Sequence, residues 1–334
     1  METLRSSTKE VLQEVMGPNP QEIIYLDTPR HRNLGDSLIW LGSKQYLNDL
    51  GHRVVYHADM GRFRDDDLKK TSDSAVIVLQ GGGNFGDLYP LHDEFRRYIV
   101  QQYPQRRIIM MPQSIYYSST ASLRQAIRDY RVGNRLTILL RESRSMDIAN
   151  EEMPDMDVRF CYDSALGALL PERTVPARDE VLTLARTDAE AIGDSKAVRG
   201  NSVDWSWGRM NGLSWKTHIA VGAAFKRLPT LVQNAMLPVS QYANQRLLDI
   251  NIKAALQQFE GSPVVATNRL HAHILSSLLG IPHIVMDNSY GKVSGIYNEY
   301  SGGFSTAYWA NDWIEALNAA DSILSRKQIG TRES

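Results

Sequence analysis

The stretch Ala75-Val-Ile-Val-Leu-Gln-Gly-Gly-Gly-Asn-Phe-Gly-Asp87 combines the two patterns that decide the fold class. Five consecutive apolar residues, 75–79, are followed at once by a glycine-rich polar segment. An uninterrupted apolar run predicts a strand that is buried on both faces of a parallel sheet, because a half-exposed strand would alternate apolar with polar residues. The polar segment then marks the carboxyl end of that strand.

The same pattern recurs on both sides of this stretch. Segments of helical length, such as 37–50 and 122–130, separate the apolar runs, and this is the rhythm of βαβ units. The sequence therefore predicts a doubly wound α/β fold. The predicted strands are Ile23–Leu26, Arg53–His57, Ala75–Leu79, Arg107–Met111, Leu136–Leu140, Val158–Cys161, Val181–Ala185, Pro263–Ala266, His283–Met286 and Thr306–Trp309.

The length of the chain and a polar segment with two prolines favour two domains. The chain has 334 residues, more than one compact core usually fills, and the polar segment 171–179 carries two prolines. We place the boundary there, with a Rossmann-like domain at 1–172 and another at 173–334. The last helix, 311–326, is expected behind an Asn311 cap and could pack back on the first domain. Residues 193–215 lack periodicity and are interpreted as a long excursion.

Composition excludes several classes of protein. The formal net charge is -1, so bulk nucleic-acid binding is not expected. Cys161 is the only cysteine, which excludes a disulfide within the chain and the zinc patterns that need paired cysteines. No apolar run approaches the roughly 18 residues of a membrane span, and the polar N-terminus does not resemble a signal peptide. We expect a cytoplasmic protein that could work at the inner face of the cytoplasmic membrane.

Ligands of open α/β sheets bind beyond the carboxyl ends of the strands, so candidate residues are sought there. Glycines, carboxylates, arginines and a histidine gather at these positions in both halves, and two such edges facing each other would form a polar cleft between the domains. The segments that follow predicted strands are Arg32–Asp36, Gly81–Asp87, Pro112–Ser114, Arg141–Ser143, Arg186–Asp188, Asn268–His271 and Asp287–Lys292.

The glycine-rich segment also matches Gly-x-Gly-x-x-Gly through Gly81, Gly83 and Gly86. Two features argue against a dinucleotide fingerprint. Pro90 disturbs the helix that should follow, and the next strand ends in Pro112-Gln113 without an acidic residue for a ribose. A tight turn after a strand is the simpler interpretation.

Three further positions carry alternatives. Asp36 could cap the helix that starts at Ser37, a role that does not exclude chemistry. Arg141 directly follows the largely apolar run Leu136–Leu140, so its guanidinium requires either a carboxylate such as Glu142 or an anionic ligand. Arg269 opens a predicted helix, where backbone amides and the helix dipole attract phosphates and carboxylates.

Three histidines, His271, His273 and His283, accompany Arg269. A packing role is the ordinary alternative for each of them, but their gathering beside an arginine favours function. His271 and His273 are two positions apart on a helix and face different sides, so they form a poor metal pair. We therefore predict no metal site.

These motifs, taken in order, resemble the polysaccharide pyruvyl transferase family. The resemblance rests on Asn33-Leu-Gly-Asp36, Gly81–Asp87, Pro112–Ser114, Arg141–Ser143, Arg186–Asp188, Thr267–His271, Gly280-Ile-Pro282 and Asp287–Lys292, and spans roughly residues 20–300. It implies a fold similar to the two-domain GT-B glycosyltransferases, with the first domain on the acceptor side and the second on the donor side.

The resemblance also implies an activity. Members of the family transfer a pyruvyl group from phosphoenolpyruvate to sugar hydroxyls as a ketal and release phosphate. By similarity, Asp36 and His271 are the catalytic candidates. The donor contacts implied are Arg141, Arg269, Ser143, Asn268 and Lys292, and the cleft loops implied contain Asn33, Gly35, Gly82, Gly83, Asn84, Gln113 and Tyr290.

The partners implied are phosphoenolpyruvate and a hexose-containing glycan, which could be lipid-linked, with no further cofactor. Three rival functions stay open at this point. A nucleotide-sugar glycosyltransferase would share the scaffold and a phosphate pocket. A nicotinamide-dependent oxidoreductase would use the Gly81–Gly86 turn, and a binding protein would have no activity.

Overall fold

The computed structural model describes residues 1–30, 33–132, 135–172, 180–186, 204–205, 208–287 and 291–332. The chain divides into two compact units. Unit 1 comprises Met1–Leu169 and Arg209–Ile252, and unit 2 comprises Leu170–Gly208 and Lys253–Ser334. The predicted boundary lies close to Leu169, but residues 209–252, which the sequence analysis assigned to the second domain, group with unit 1.

Unit 1 contains a seven-stranded sheet in which every pairing is parallel. Its strands are β1 Glu22–Leu26, β2 Arg53–Ala58, β3 Val76–Leu79, β4 Gly82–Gly86, β5 Ile108–Tyr116, β6 Leu136–Leu140 and β7 Asp157–Phe160. The spatial order is β2-β1-β3-β5-β6-β7, with β4 also paired to β5. The order reverses between β1 and β3, which is the topological switch point of a doubly wound sheet.

Both faces of this sheet are buried, and this explains the uninterrupted apolar runs. In β3, Ile77 and Leu79 belong to one hydrophobic cluster, while Val76 and Val78 belong to another. Successive side chains of a strand point to opposite faces, so the two clusters lie on the two sides of the sheet. Each face is covered by helices, as in other parallel sheets.

The glycine-rich segment forms a short strand, β4. β3 and β4 pair in succession with β5, because Leu79 lies opposite Met110 and Gly82 lies opposite Gln113. Gly82 has a φ of 124° and Gly86 a φ of 150°, backbone angles that residues other than glycine rarely adopt. The glycines therefore let the chain follow β5 closely, and the predicted cleft loop at 82–84 is instead a strand.

The helices of unit 1 cover both faces of its sheet, and the last of them continues into unit 2. Their bounds are α1 Glu2–Met16, α2 Leu34–Asp49, α3 Asp65–Leu68, α4 Pro90–Gln102, α5 Thr120–Tyr130, α6 Ser143–Glu152, α7 Gly208–Phe225, α8 Thr230–Ala235 and α9 Leu237–Phe259. A 3-10 turn, Ser164–Gly167, packs on α2. The excursion expected at 193–215 ends within α7, and its residues 193–203 lie outside the described part of the chain.

Unit 2 contains a four-stranded parallel sheet in the order β11-β10-β9-β8. Its strands are β8 Leu182–Leu184, β9 Val265–Thr267, β10 His283–Val285 and β11 Ala307–Trp309, and its helices are α10 Leu270–Leu278, α11 Lys292–Glu299 and α12 Trp313–Arg332. Trp313, Ala316 and Ala320 of α12 pack with Ala266 and Ile284 of the sheet. The last helix is thus placed against the second sheet.

The start of α12 differs in detail from the prediction. Asp312, and not Asn311, caps the helix, because its Oδ1 accepts a hydrogen bond from the backbone N–H of Glu315 at 2.8 Å. Glu315 in turn accepts from the backbone N–H of Asn311 at 2.9 Å. The arrangement resembles a capping box, except that Glu315 accepts from the residue before the cap and not from the cap residue itself.

Candidate active site

Asn33, Gly35 and Asp36 meet at the start of α2, beyond the carboxyl end of β1. Asn33 is the N-cap, since its side chain accepts from the backbone N–H of Gly35 at 3.2 Å. Asp36 is therefore not the cap that the sequence suggested. It lies in the first turn, buried, and its Oδ2 accepts from the Asn33 side-chain amide at 3.1 Å. The positive end of the helix dipole stabilises a carboxylate at this position.

Asp36 is connected to a buried polar network at the ends of β3 and β5. Gln80 donates to the backbone oxygen of Asp36 at 3.0 Å and accepts from the hydroxyl of Tyr25 at 2.7 Å. The backbone oxygen of Gln80 accepts from the side chains of Gln113 and Arg96. Gln113, predicted to lie in a loop, is a fully buried residue of β5, and the network fixes the backbone beside Asp36.

Asp27, which the sequence analysis did not select, occupies the switch point directly after β1. It is buried and has a φ of 64°, which is rare for a residue other than glycine and is found at functional sites. Its carboxylate contacts Arg96 Nε at 2.9 Å and His92 Nδ1 at 2.7 Å. Burial alone would raise the pKa of Asp27, but the charges of His92 and Arg96 outweigh burial and lower it.

The contact with Asp27 orients His92. The Asp27 carboxylate can only accept a hydrogen bond, so it favours a proton on Nδ1 of His92. The His92 side chain is 12% exposed, whereas Asp27 is 1% exposed. The arrangement is a buried carboxylate that orients a partly accessible imidazole, and such pairs can transfer protons.

Arg141 is completely buried beyond the end of β6. Its guanidinium donates to Asp163 Oδ2 and, through Nε, to the hydroxyl of Ser114 at 2.9 Å. Asp163, and not the neighbouring Glu142, is its carboxylate partner. Ser143 is exposed at the first position of α6. Arg141 therefore reaches an anionic ligand only if the side chains around it move.

Helix α9 contributes a second buried cluster at the ends of β1 and β2. The side-chain oxygen of Asn244 contacts the Thr28 hydroxyl at 3.1 Å and His57 Nδ1 at 2.8 Å. Its amide donates to Asp59 at 3.3 Å. Burial lowers the pKa of His57. Further along α9, Asn251 donates to the hydroxyl of Ser37 at 3.0 Å, so this helix is fixed to the first turn of α2.

In unit 2, Asn268, Arg269 and His271 lie together between β9 and α10. Asn268 accepts from the backbone N–H of Arg186 at 2.9 Å, and this contact joins the ends of β8 and β9. Arg269 is the N-cap residue of α10 and donates to Asp204 Oδ2 at 2.5 Å. His271 follows in the first turn and is 7% exposed. The prediction that Arg269 and His271 open a helix is confirmed.

Lys292 begins α11 at the same edge of the second sheet. It is half-buried, and the preceding Gly291 has the left-handed backbone conformation that lets the chain turn into the helix. The backbone N–H of Ser294 donates to Asp287 Oδ1 at 3.1 Å, so Asp287 holds the first turn of α11. Tyr290, predicted to lie near Lys292, is outside the described residues.

His273 and His283 form a structural pair within unit 2. Their rings are joined by a hydrogen bond of 2.6 Å between His273 Nδ1 and His283 Nε2. His283 Nδ1 faces the backbone oxygen of Ile281, and His273 Nε2 contacts the hydroxyl of Ser301. Burial lowers the pKa of His283 to about 4 and that of His273 well below its usual value. Both rings are therefore neutral near pH 7 and pack in the core, and His271 alone of the three lies at the helix start.

No cluster of three or more histidine, cysteine or acidic side chains with the geometry of a metal site occurs in the described residues. Among those residues, no helix combines the length and apolarity of a bilayer span.

Both sheets thus place polar side chains at their carboxyl ends, and this defines a Rossmann-like α/β protein with polar edges. Comparison with known proteins places the chain within that class. The family model for polysaccharide pyruvyl transferases matches residues 33–290. The chain belongs to the polysaccharide pyruvyl transferase family, as the motifs predicted.

Two relatives match this chain over at least three quarters of their own length. The chain is 32% identical to the "Putative pyruvyl transferase EpsO" of Bacillus subtilis, covering 86% of this chain and 87% of that protein. It is 31% identical to Pyruvyl transferase 1 of Schizosaccharomyces pombe, covering 91% and 75% of the two chains. A crystal structure of an uncharacterized protein from Klebsiella pneumoniae is 18% identical, with a TM-score of 0.59 over 93% of this chain and 100% of that one. This last likeness concerns the fold alone.

Proposed function

We propose that the protein transfers a pyruvyl group from phosphoenolpyruvate to hydroxyls of a sugar in a bacterial surface polysaccharide or its precursor. Family membership supports the pyruvyl transfer. The observation that carries the choice of donor is the group Asn268, Arg269 and His271 at the N-terminus of α10. Phosphoenolpyruvate carries a carboxylate beside a phosphate, and a helix N-terminus with an arginine suits such an anion.

Arg269 is the central donor contact in this proposal. A guanidinium has five N–H donors in a fixed plane. Asp204 accepts from one of its terminal nitrogens and so holds that plane in position. Lys292 starts α11 at the same edge of the sheet and adds a second positive charge. The earlier assignment of Arg141 and Ser143 to the donor stays a prediction.

The reaction proposed is balanced in atoms and protons. The central carbon of phosphoenolpyruvate gains bonds to two sugar oxygens, loses its bond to the phosphate oxygen, and keeps only a single bond to the former methylene carbon. The methylene carbon gains one hydroxyl proton, and the second hydroxyl proton leaves with the phosphate. One acid and one base suffice for these transfers. We assign the acid to His271 and the base to Asp36.

Substitution of Arg269 tests the donor site. Loss of a charge-assisted contact costs about 1.5–3 kcal/mol, so Arg269→Ala should bind phosphoenolpyruvate about tenfold or more weakly in calorimetric titration. Arg124→Ala is the matched control, because Arg124 is 63% exposed and pairs with Glu152 at the surface. Unchanged affinity in a folded Arg269→Ala protein would remove this residue from the site.

The product identifies the reaction. Mass spectrometry of candidate acceptor glycans should show a gain of pyruvic acid less one water, together with released phosphate, when phosphoenolpyruvate is the donor. A mass gain of one hexose with a nucleotide sugar would favour a glycosyltransferase instead. The GT-B-like arrangement, the absence of a further cofactor and the cytoplasmic location stay predictions.

A further inference from the structure

Helices α7, α8 and the start of α9 form a surface that is fixed to unit 1 by polar contacts from one side. Arg62 donates to the backbone oxygen of His218 in α7. Arg64 donates to the side chains of Gln233 and Asn234 at 2.6 Å each. These contacts come from the segment after β2, so α7 and α8 are held against unit 1.

The opposite side of these helices is apolar and faces solvent. Leu231 is 83% exposed and Met210 is 75% exposed. A surface helix ordinarily turns its apolar stripe to the core and its polar stripe to water. Of the exposed positions in the described part of α7, six are apolar (210, 213, 220, 221, 223 and 224), and two are polar, Lys216 and Thr217. The exposed large apolar residues of this surface are Met210, Leu213, Val221, Leu231, Val232, Met236, Val239 and Tyr242.

The same segment is strongly basic. Residues 205–248 contain five lysines and arginines and no aspartate or glutamate, in a chain whose formal net charge is -1. Lys216, Lys226 and Arg227 are exposed. Exposed apolar side chains interleaved with basic ones are typical of helices that lie on anionic membranes. We call this the α7–α9 surface.

We propose that the α7–α9 surface docks on a lipid bilayer that contains anionic lipids. Its apolar side chains would enter the region between headgroups and acyl chains, and its basic side chains would contact the headgroups. Contact between two copies of this chain is disfavoured by charge. A two-fold interface would bring each basic patch against its own equivalent.

The location of the α7–α9 surface indicates where the acceptor sugar would be carried. The segment that holds α7 and α8 follows β2, and Asn244 of α9 contacts Thr28 and His57 at the same edge of the sheet as Asp36. Docking there would bring this edge of unit 1 to the membrane. If the proposed pyruvyl transfer holds, an acceptor carried on a lipid suits the protein better than a free polysaccharide does.

Vesicle flotation with the full chain tests the docking. We expect binding to vesicles of phosphatidylglycerol and phosphatidylcholine, and little binding to phosphatidylcholine alone. The triple substitution Met210→Ser, Leu213→Ser and Leu231→Ser should weaken binding by about tenfold or more, because it removes apolar area that would be buried. Its control is the double substitution Leu91→Ser with Ile314→Ser. These two large aliphatic residues are each 69% exposed and lie outside the α7–α9 surface, in α4 and α12.

A charge variant separates the electrostatic contribution. Each lysine or arginine near an anionic surface contributes about fivefold in affinity, so Lys226→Glu with Arg227→Glu should weaken binding by about thirtyfold or more. Raised salt should weaken the wild type in the same direction. Circular dichroism and melting should be unchanged, since all the substituted side chains are exposed.

Three outcomes would overturn the inference. The first is that the protein does not bind the anionic vesicles, and the second is that the triple variant and its control bind them equally. The third is that light scattering shows a wild-type dimer which is lost in the triple variant and which the vesicles do not dissociate. The assay contains neither donor nor acceptor. Its result is therefore independent of whether the protein transfers a pyruvyl group.

Discussion

The substitution Asp27→Asn tests the buried cluster at the switch point of unit 1. Asparagine has nearly the same shape and also tolerates the left-handed backbone of Asp27, so the change removes charge without adding backbone strain. Arg96 is fully buried, and its Nη2 lies 2.8 Å from Asp27 Oδ2. Removal of one partner of a buried ion pair costs about 3–5 kcal/mol. Arg96 keeps its contacts to Gln80 and Gln113, which places the expected loss near the lower end, about 3 kcal/mol.

Urea unfolding followed by tryptophan fluorescence measures this loss, with the buried Trp40 reporting on unit 1. A loss of about 3 kcal/mol moves the midpoint by about 1 M if the denaturant slope is near the upper end of its usual range. Asp157→Asn is the control, because Asp157 pairs with Arg159 at the surface and such pairs contribute about 0–1 kcal/mol.

The same variant makes a prediction about pH. The pKa of Asp27 is lowered in the folded protein, so its stabilisation is present above the unfolded-state pKa of about 3.9. It is lost as the pH falls through the lower folded-state pKa. The difference between wild type and Asp27→Asn should therefore close below about pH 4. A midpoint like that of the control at neutral pH, or a difference that persists unchanged at pH 3, would refute the reasoning.

Two further predictions concern the reaction and the core of unit 2. Asp36→Asn retains the hydrogen bond from Asn33, so the protein should fold and bind phosphoenolpyruvate but turn over about 10²-fold more slowly; full turnover would return Asp36 to a structural role. His271→Gln should likewise bind the donor better than it reacts. In proton NMR, the imidazole signals of His273 and His283 should not titrate between pH 8 and pH 5, because the pKa of each is lowered by burial. Since these rings bind protons only when unfolded, stability should fall as the pH drops below about 6.5, and a signal from either ring that titrates near neutral pH would contradict the structure.

The strands were predictable because burial on both faces leaves a local trace in the sequence. Leu136–Leu140 was predicted with the bounds that the structure has, since polar residues flank an apolar run. Strand β4 was not predictable, because Gly82–Gly86 has no apolar pattern and forms a strand only through its contact with β5. The grouping of residues 209–252 with unit 1 was not predictable either, because neither the composition of this segment nor its prolines and glycines indicate it.

The candidate site also contains residues that a local sequence pattern predicts and contacts that only the tertiary structure determines. Arg269 and His271 were found because they follow an apolar strand and open a helix, which is a local pattern. Asp27 also follows its strand directly and could have been found by that rule. Its partners His92 and Arg96 lie more than sixty residues further along the chain, so their contact with it depends on the tertiary structure. The same is true of Arg141, whose true partner Asp163 is on another segment.

Unit 1 is assembled from two stretches of chain that are separated by the residues from Leu170 to Gly208. The ribosome synthesises the first stretch well before Asn244, and until then Thr28, His57 and Asp59 lack their contacts with the Asn244 side chain. Unit 1 therefore cannot complete its packing until residues 170–208 of unit 2 have been synthesised. A fragment that stops near Leu169 would contain all seven strands of the sheet but would lack α9 and its contacts, so we expect it to be less stable than the whole of unit 1.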